Sequence, residues 1–304
     1  MHERQKALER LLDSWLETSL NANAFSSLTR KFQSVETDAE EWEIFLHFSS
    51  IHREAPRKSL SLNETALREA NVLIEGWQPD RWGLDEVARS RLLISLSKRG
   101  ESFFFEILDK LFESSDMREA ETLYRCLPIL PWPDKLTSRA SEGVRSNITT
   151  VYQAIAHHNP YPAAWLDENA WNHLVLKALF IEVPLYRIQG LENRRNEKLF
   201  RMVIDLAHER WAAGRTVSPE MWCLASPWIH EDHEQEWTRL LESDDKLDRE
   251  ALRNICMESS DKEVKNLLNE HPQYFDSLGD PVSWEEIGKK VEARKTSAYS
   301  TDES

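Results

Sequence analysis

Cysteine and glycine are both scarce in this 304-residue chain, which holds three of the first and eight of the second. Cys126, Cys223 and Cys256 lie far apart without paired spacing, which excludes a disulfide framework and a zinc ribbon. They read as buried, reduced thiols, and so favour a reducing compartment. Most glycines sit where a helix would stop, as at Gly76, Gly100 and Gly214, and none forms a Gly-rich phosphate loop. A nucleophile elbow is also missing. No apolar run approaches the roughly 20 residues of a membrane helix. The first residues, MHERQKALERLLDSWLETSL, are charged throughout and offer no apolar secretory core. The expectation is a cytoplasmic protein without membrane insertion.

Positive charge is in the minority as well. Thirty-eight Lys and Arg face 53 Asp and Glu, a formal net charge of −15. That field repels phosphate and argues against a general nucleic-acid or anionic-membrane binder, leaving room only for a local basic patch. Tryptophan, by contrast, is plentiful at twelve, in keeping with rings that fill gaps between packed helices.

Nearly every segment repeats its apolar residues with helical period, and none alternates as a strand does. The expected class is all-α with no sheet: an irregular α-solenoid of stacked antiparallel helix pairs (HEAT-like), or a compact orthogonal bundle. No fixed repeat period is visible. Asn63 precedes one helix as a capping residue, and Ser218-Pro219-Glu220 opens another over about 218–225. Gly214 reads as a left-handed C-cap.

Residues 167–182 form an almost wholly apolar helix that nevertheless carries Asn172, His173 and Lys177. Asp167 reads as its N-cap, with Leu166 and Trp171 as a hydrophobic staple. His173 and Lys177 are four apart and share a face, whereas Asn172 falls between Leu176 and Leu179 on an apolar arc. Either the trio is a polar seam whose buried amide caps a neighbouring element, or it lines a cleft in which a partly desolvated Lys177 meets an anion or carbonyl.

The next helix, 196–213, places Leu199, Met202, Val203, Leu206 and Ala213 on one stripe. Arg201–Asp205 and Asp205–His208 read as surface pairs on the other side. A metal site from Asp205, His208 and Glu209 lacks a third soft ligand. Arg210 falls inside the apolar stripe, so it either snorkels, forms a buried pair, or meets a ligand. Between the two helices, PLYRIQGLENRRN supplies Arg187, Arg194 and Arg195 ahead of a helix N-terminus, a local reversal of sign suited to an anion.

Two further stretches carry the outline of a motif. DDKLD (244–248) has the acid spacing that holds magnesium on a diphosphate, but it sits in an interhelical turn where Asp248 reads as an N-cap. HEDH (230–233) is one residue short of a zinc hydrolase motif. No metal, cofactor or catalytic constellation is expected from either.

From about 84 to 228 the chain resembles the EboA-domain family. The blocks that carry the resemblance are LYRCLPILPWPDKLTSRASEGVRSNITTVYQAIAHHNPYP (123–162), AWNHLVLKALFIEVPLYRIQGLENRRNEKL (170–199) and DLAHERWAAGRTVSPEMW (205–222). The resemblance implies a bacterial gene cluster that makes or exports small metabolites. Its neighbours there would be a membrane prenyltransferase, a sugar-isomerase-like protein, a metal-dependent hydrolase and a dehydroquinate-synthase-like enzyme. It carries across no catalytic residue. On this reading 1–80 is an N-terminal helical segment, 81–230 the EboA-like core, 231–294 a set of C-terminal helices and 295–304 a disordered tail.

The reading is thus an accessory protein that binds an anionic intermediate or a partner enzyme of the cluster. Lys177, Arg187, Arg194 and Arg195 would meet negative charge, with Arg210 nearby. Asn172 and His173 would orient, and Trp171 and Trp211 would form walls. The alternatives are a scaffold without small ligand, and an enzyme that uses Lys177 and His173.

Overall fold

The computed structural model describes residues 2–302. Among them every regular element is helical, and an isolated β-bridge joins Ser59 and Gly83. The all-α expectation is therefore the observed class. Internal contacts divide the chain into two compact units, Met1–Asp167 and Glu168–Ser304.

The first unit contains α1 (His2–Ser19), α2 (Ala22–Thr37), α3 (Glu41–Ser50), α4 (Glu64–Leu73), α5 (Leu84–Ser97), α6 (Glu101–Ser114), α7 (Met117–Arg125), α8 (Thr137–Arg145), α9 (Thr149–Ala156) and α10 (Tyr161–Trp165). Helix α1 buries Leu8, Leu11, Leu12, Trp15 and Leu16, the i, i+3, i+4 stripe of an amphipathic helix. Asn63 caps α4 by accepting the Ala66 N–H at 2.9 Å. Helix α5 packs against α1, α2, α6 and α7 and is buried on all sides from Leu84 to Leu96.

That central position forces its charges into pairs, because an isolated buried charge is far costlier than a paired one. Arg89 meets Asp85 at 3.0 Å, Arg118 meets Asp85 at 3.3 Å, and Arg125 meets Glu86 at 3.3 Å. Arg91 reaches Asp13 of α1 at 2.9 Å.

The second unit contains α11 (Glu168–Phe180), α12 (Glu197–Ala212), α13 (Glu234–Leu241), α14 (Lys246–Glu258), α15 (Lys262–Glu270), α16 (Pro272–Phe275) and α17 (Trp284–Asp302). Helix α14 is central here, in contact with α13, α15, α16 and α17, and buries Leu247, Ala251, Leu252, Ile255 and Cys256. Gly214 follows α12 at φ +66°, the left-handed stop expected of it.

Two local expectations need correction. Residues 218–225 form no α-helix but the 3-10 turn Pro219–Leu224, followed by a second over Ser226–Trp228. Pro227 removes a backbone donor and disfavours α geometry at the residue before it. Asp245, not Asp248, caps α14, accepting the Leu247 N–H at 2.8 Å. Asp248 lies in the first turn, where it takes the Ser243 hydroxyl at 2.6 Å and burial pushes its carboxyl up to about 6. Helix α17 continues to Asp302, through most of the stretch expected as a tail, whose positions 303 and 304 lie outside the described residues.

Candidate functional site

All seven residues singled out by sequence lie in the second unit, on or between α11 and α12. Helix α11 buries Trp171, Leu174, Val175 and Ala178, so its orientation is set by one apolar stripe. Asn172 is buried beside that stripe at 1% exposure, and its amide is satisfied by Asn196. Asn196 is the N-cap of α12 and accepts the Leu199 N–H at 2.9 Å. Asn172 is therefore a brace for a helix cap. His173 is exposed, and Lys177 is half-buried, which lowers its ammonium from the ordinary lysine value.

The structure does not gather the arginines around one point. Arg187 donates to Glu292 of α17 at 2.7 Å. Arg195 reaches Glu258 of α14 at 3.0 Å, the Cys223 carbonyl at 3.0 Å and the Ser226 hydroxyl at 3.1 Å. Arg194 lies over the Trp171 ring, 5.0 Å from its centroid. Arg210 donates to Glu182 at 3.0 Å and to the Thr216 carbonyl at 2.7 Å, so its place in the apolar stripe is explained by a structural pair.

Trp171 and Trp211 also serve packing. Trp171 is fully buried, and Trp211 stacks on Trp222 at 5.9 Å, with the Arg239 guanidinium over the Trp211 ring 4.6 Å from its centroid. The expected surface pairs of α12 are rearranged. Arg201 pairs back to Glu197, the better order of acid and base along a helix, and His208 meets Glu236 of α13 at 2.7 Å. His230 caps the 3-10 turn Glu231–His233, and its ring centroid lies 4.2 Å from that of His233.

Glu182 closes α11 at φ +56°, a left-handed position that usually favours glycine. A side chain is kept there because it ties two elements: Arg210 draws its carboxyl below the usual range, and Lys295 of α17 adds a contact at 3.6 Å. On the preceding turn Phe180 and Ile181 face outward, at 64% and 36% exposure.

Sequence reasoning missed Glu220. It is 4% exposed in the Pro219–Leu224 turn, accepts the Tyr186 backbone N–H, and abuts Gly288 of α17. A Cβ on Gly288 would lie 2.5 Å from the Glu220 Oε1 and 2.7 Å from the Tyr186 ring. Burial pushes the Glu220 carboxyl up to about 7. The available signal was a lone acid just after a proline and before the apolar run MWCL.

No helix among the described residues is long and apolar enough to cross a membrane. The chain matches the family described as "Metabolite traffic protein EboA" over residues 8–226, more than half its length. The chain belongs to this family. No curated protein and no solved structure matches it.

Proposed function

Starting from membership in a family described by metabolite traffic, we propose that this chain is a non-catalytic accessory protein of a metabolite pathway in the cytoplasm. Its second unit docks a partner enzyme of that pathway through the C-terminal end of α11. The observation that carries this reading is the outward-facing Phe180 at 64% exposure, next to Ile181 at 36%. Lys177 lies three and four residues earlier on the same helix face. An aromatic and an aliphatic anchor beside a cation is the composition of a docking patch, where a few such side chains dominate affinity.

The arginines support docking over capture of an anionic intermediate at this place. Arg195 and Arg210 each hold a carboxylate from the chain together with backbone carbonyls, so an anion would have to break several contacts to reach them. Glu182, held left-handed one residue past Ile181, fixes the end of the patch.

The test is co-purification with the enzymes encoded beside the protein, followed by native mass spectrometry. Phe180→Asp should abolish the complex while leaving the melting temperature unchanged, because the ring is exposed. A complex that survives Phe180→Asp would sink the proposal. So would a bound small anion that disappears in Lys177→Ala while the partner never appears.

A further inference from the structure

Helix α17 is attached by a narrow apolar strip and a wide polar one. Ile287 is its buried hydrophobic residue among the described side chains, with Trp284 and Val291 half-buried at helical spacing. The other attachments are polar. Trp284 Nε1 donates to Glu258 at 2.6 Å, Arg294 to Asp245 at 2.6 Å, and Lys295 to the Glu182 carbonyl at 3.1 Å. Midway along, one oxygen of Glu292 accepts from the Tyr186 hydroxyl at 2.6 Å and from Arg187 Nη2 at 2.7 Å. Arg187 Nε also donates to the Tyr186 oxygen at 3.1 Å, which aligns the two donors.

A guanidinium and a phenol that converge on one oxygen are a donor set suited to a carboxylate or a phosphate. We propose that Tyr186 and Arg187 form a binding site for the carboxylate or phosphate group of a small molecule, and that α17 fills this site in cis with Glu292. This goes beyond the docking patch on α11 and does not depend on it.

Two observations set Arg187 apart from Arg195 and Arg210. Its pair with Glu292 keeps about a third of each side chain in solvent, 31% and 30%, so one oxyanion can replace another with little change in desolvation. Arg195 is bound in addition by a buried carbonyl and a serine hydroxyl, and Arg210 by a carbonyl, whereas the further partner of Arg187 is the phenol that shares its acceptor. Glu220, the other carboxyl against Tyr186, is engaged by the backbone N–H of that residue. Tyr186 and Arg187 also lie inside the stretch that matches the family, and Glu292 lies outside it.

The test uses the full chain, with inorganic pyrophosphate and citrate as probes in calorimetric titrations. Removing the internal competitor in Glu292→Gln should tighten binding of one or both probes by about tenfold, since apparent affinity scales with the open fraction. The gain should vanish in Glu292→Gln/Arg187→Gln. Glu285→Gln is the control, because it removes one carboxylate from the exposed face of the same helix, where its partner is Lys289. In the wild type, pyrophosphate should speed hydrogen exchange across 284–297.

Three results would overturn the inference. The first is Glu292→Gln binding no tighter than Glu285→Gln, and the second is a gain that survives Arg187→Gln. The third is wild-type exchange unmoved at millimolar pyrophosphate, which decides the matter even if Glu292→Gln folds poorly.

Discussion

Asn172 and Asn196 exchange both ends of their side-chain amides. Asn196 Nδ2 donates to Asn172 Oδ1 at 2.9 Å, and Asn172 Nδ2 donates to Asn196 Oδ1 at 3.2 Å. The same Asn196 oxygen accepts the Leu199 N–H, so a buried residue of α11 sets the start of α12. The intervening loop, with Arg187, Arg194 and Arg195, hangs between these two fixed ends.

Replacing Asn172 by Leu keeps the branched shape but removes both amide contacts. It should cost about 1–2 kcal/mol in urea unfolding, the range for a buried polar partner left unmatched. His173→Ala, one residue on but exposed, should stay within about 0.5 kcal/mol. Equal effects at the two positions would show that the amide pair does not brace the cap.

The carboxyl of Glu220 stands at about 7 against an ordinary 4.5, raised by burial. An acid raised on folding stabilises the folded state while it is protonated. Its contribution is complete below about 4.5 and is lost as the pH climbs through 7. Stability of the second unit should therefore fall by on the order of 2–3 kcal/mol over that window. Glu220→Gln should flatten the profile and exceed the wild type at pH 8. An unchanged slope in the variant would place the titration elsewhere.

Arg195 and Glu258 meet at 3.0 Å across 63 residues of sequence, and Ser226 and Trp284 converge on the same carboxylate. Arg195→Met should cost about 1–3 kcal/mol, less than a fully buried pair because both groups retain some solvent. Adding Glu258→Gln to that background should cost less than Glu258→Gln alone, with a coupling of about 1 kcal/mol in a double-mutant cycle. Strict additivity would mean that the pair does not hold the loop before α12 to α14.

The helices were legible because apolar period is a local property. Asn63 and Gly214 marked a start and a stop for reasons confined to one turn of backbone. Asp248 misled because Asp245 satisfies the same local rule and stands at the turn's edge, and only the observed register distinguishes them. The partners of the site residues were not legible. Arg187 and Glu292 are 105 residues apart, and no periodicity links them. Nor does composition reveal that α5 lies at the centre of its unit with Asp85, Glu86 and Arg89 inside, because each is tolerated only through a partner.

By itself the sequence determined an all-helical chain, where most of its helices lie, and that a cluster of cations interrupts an acidic background. Tertiary structure alone decided what those cations do. A charge can be satisfied by solvent, by a ligand or by a carboxylate brought from far along the chain. The choice rests on distances of about 3 Å that only the packing of α12, α14 and α17 sets.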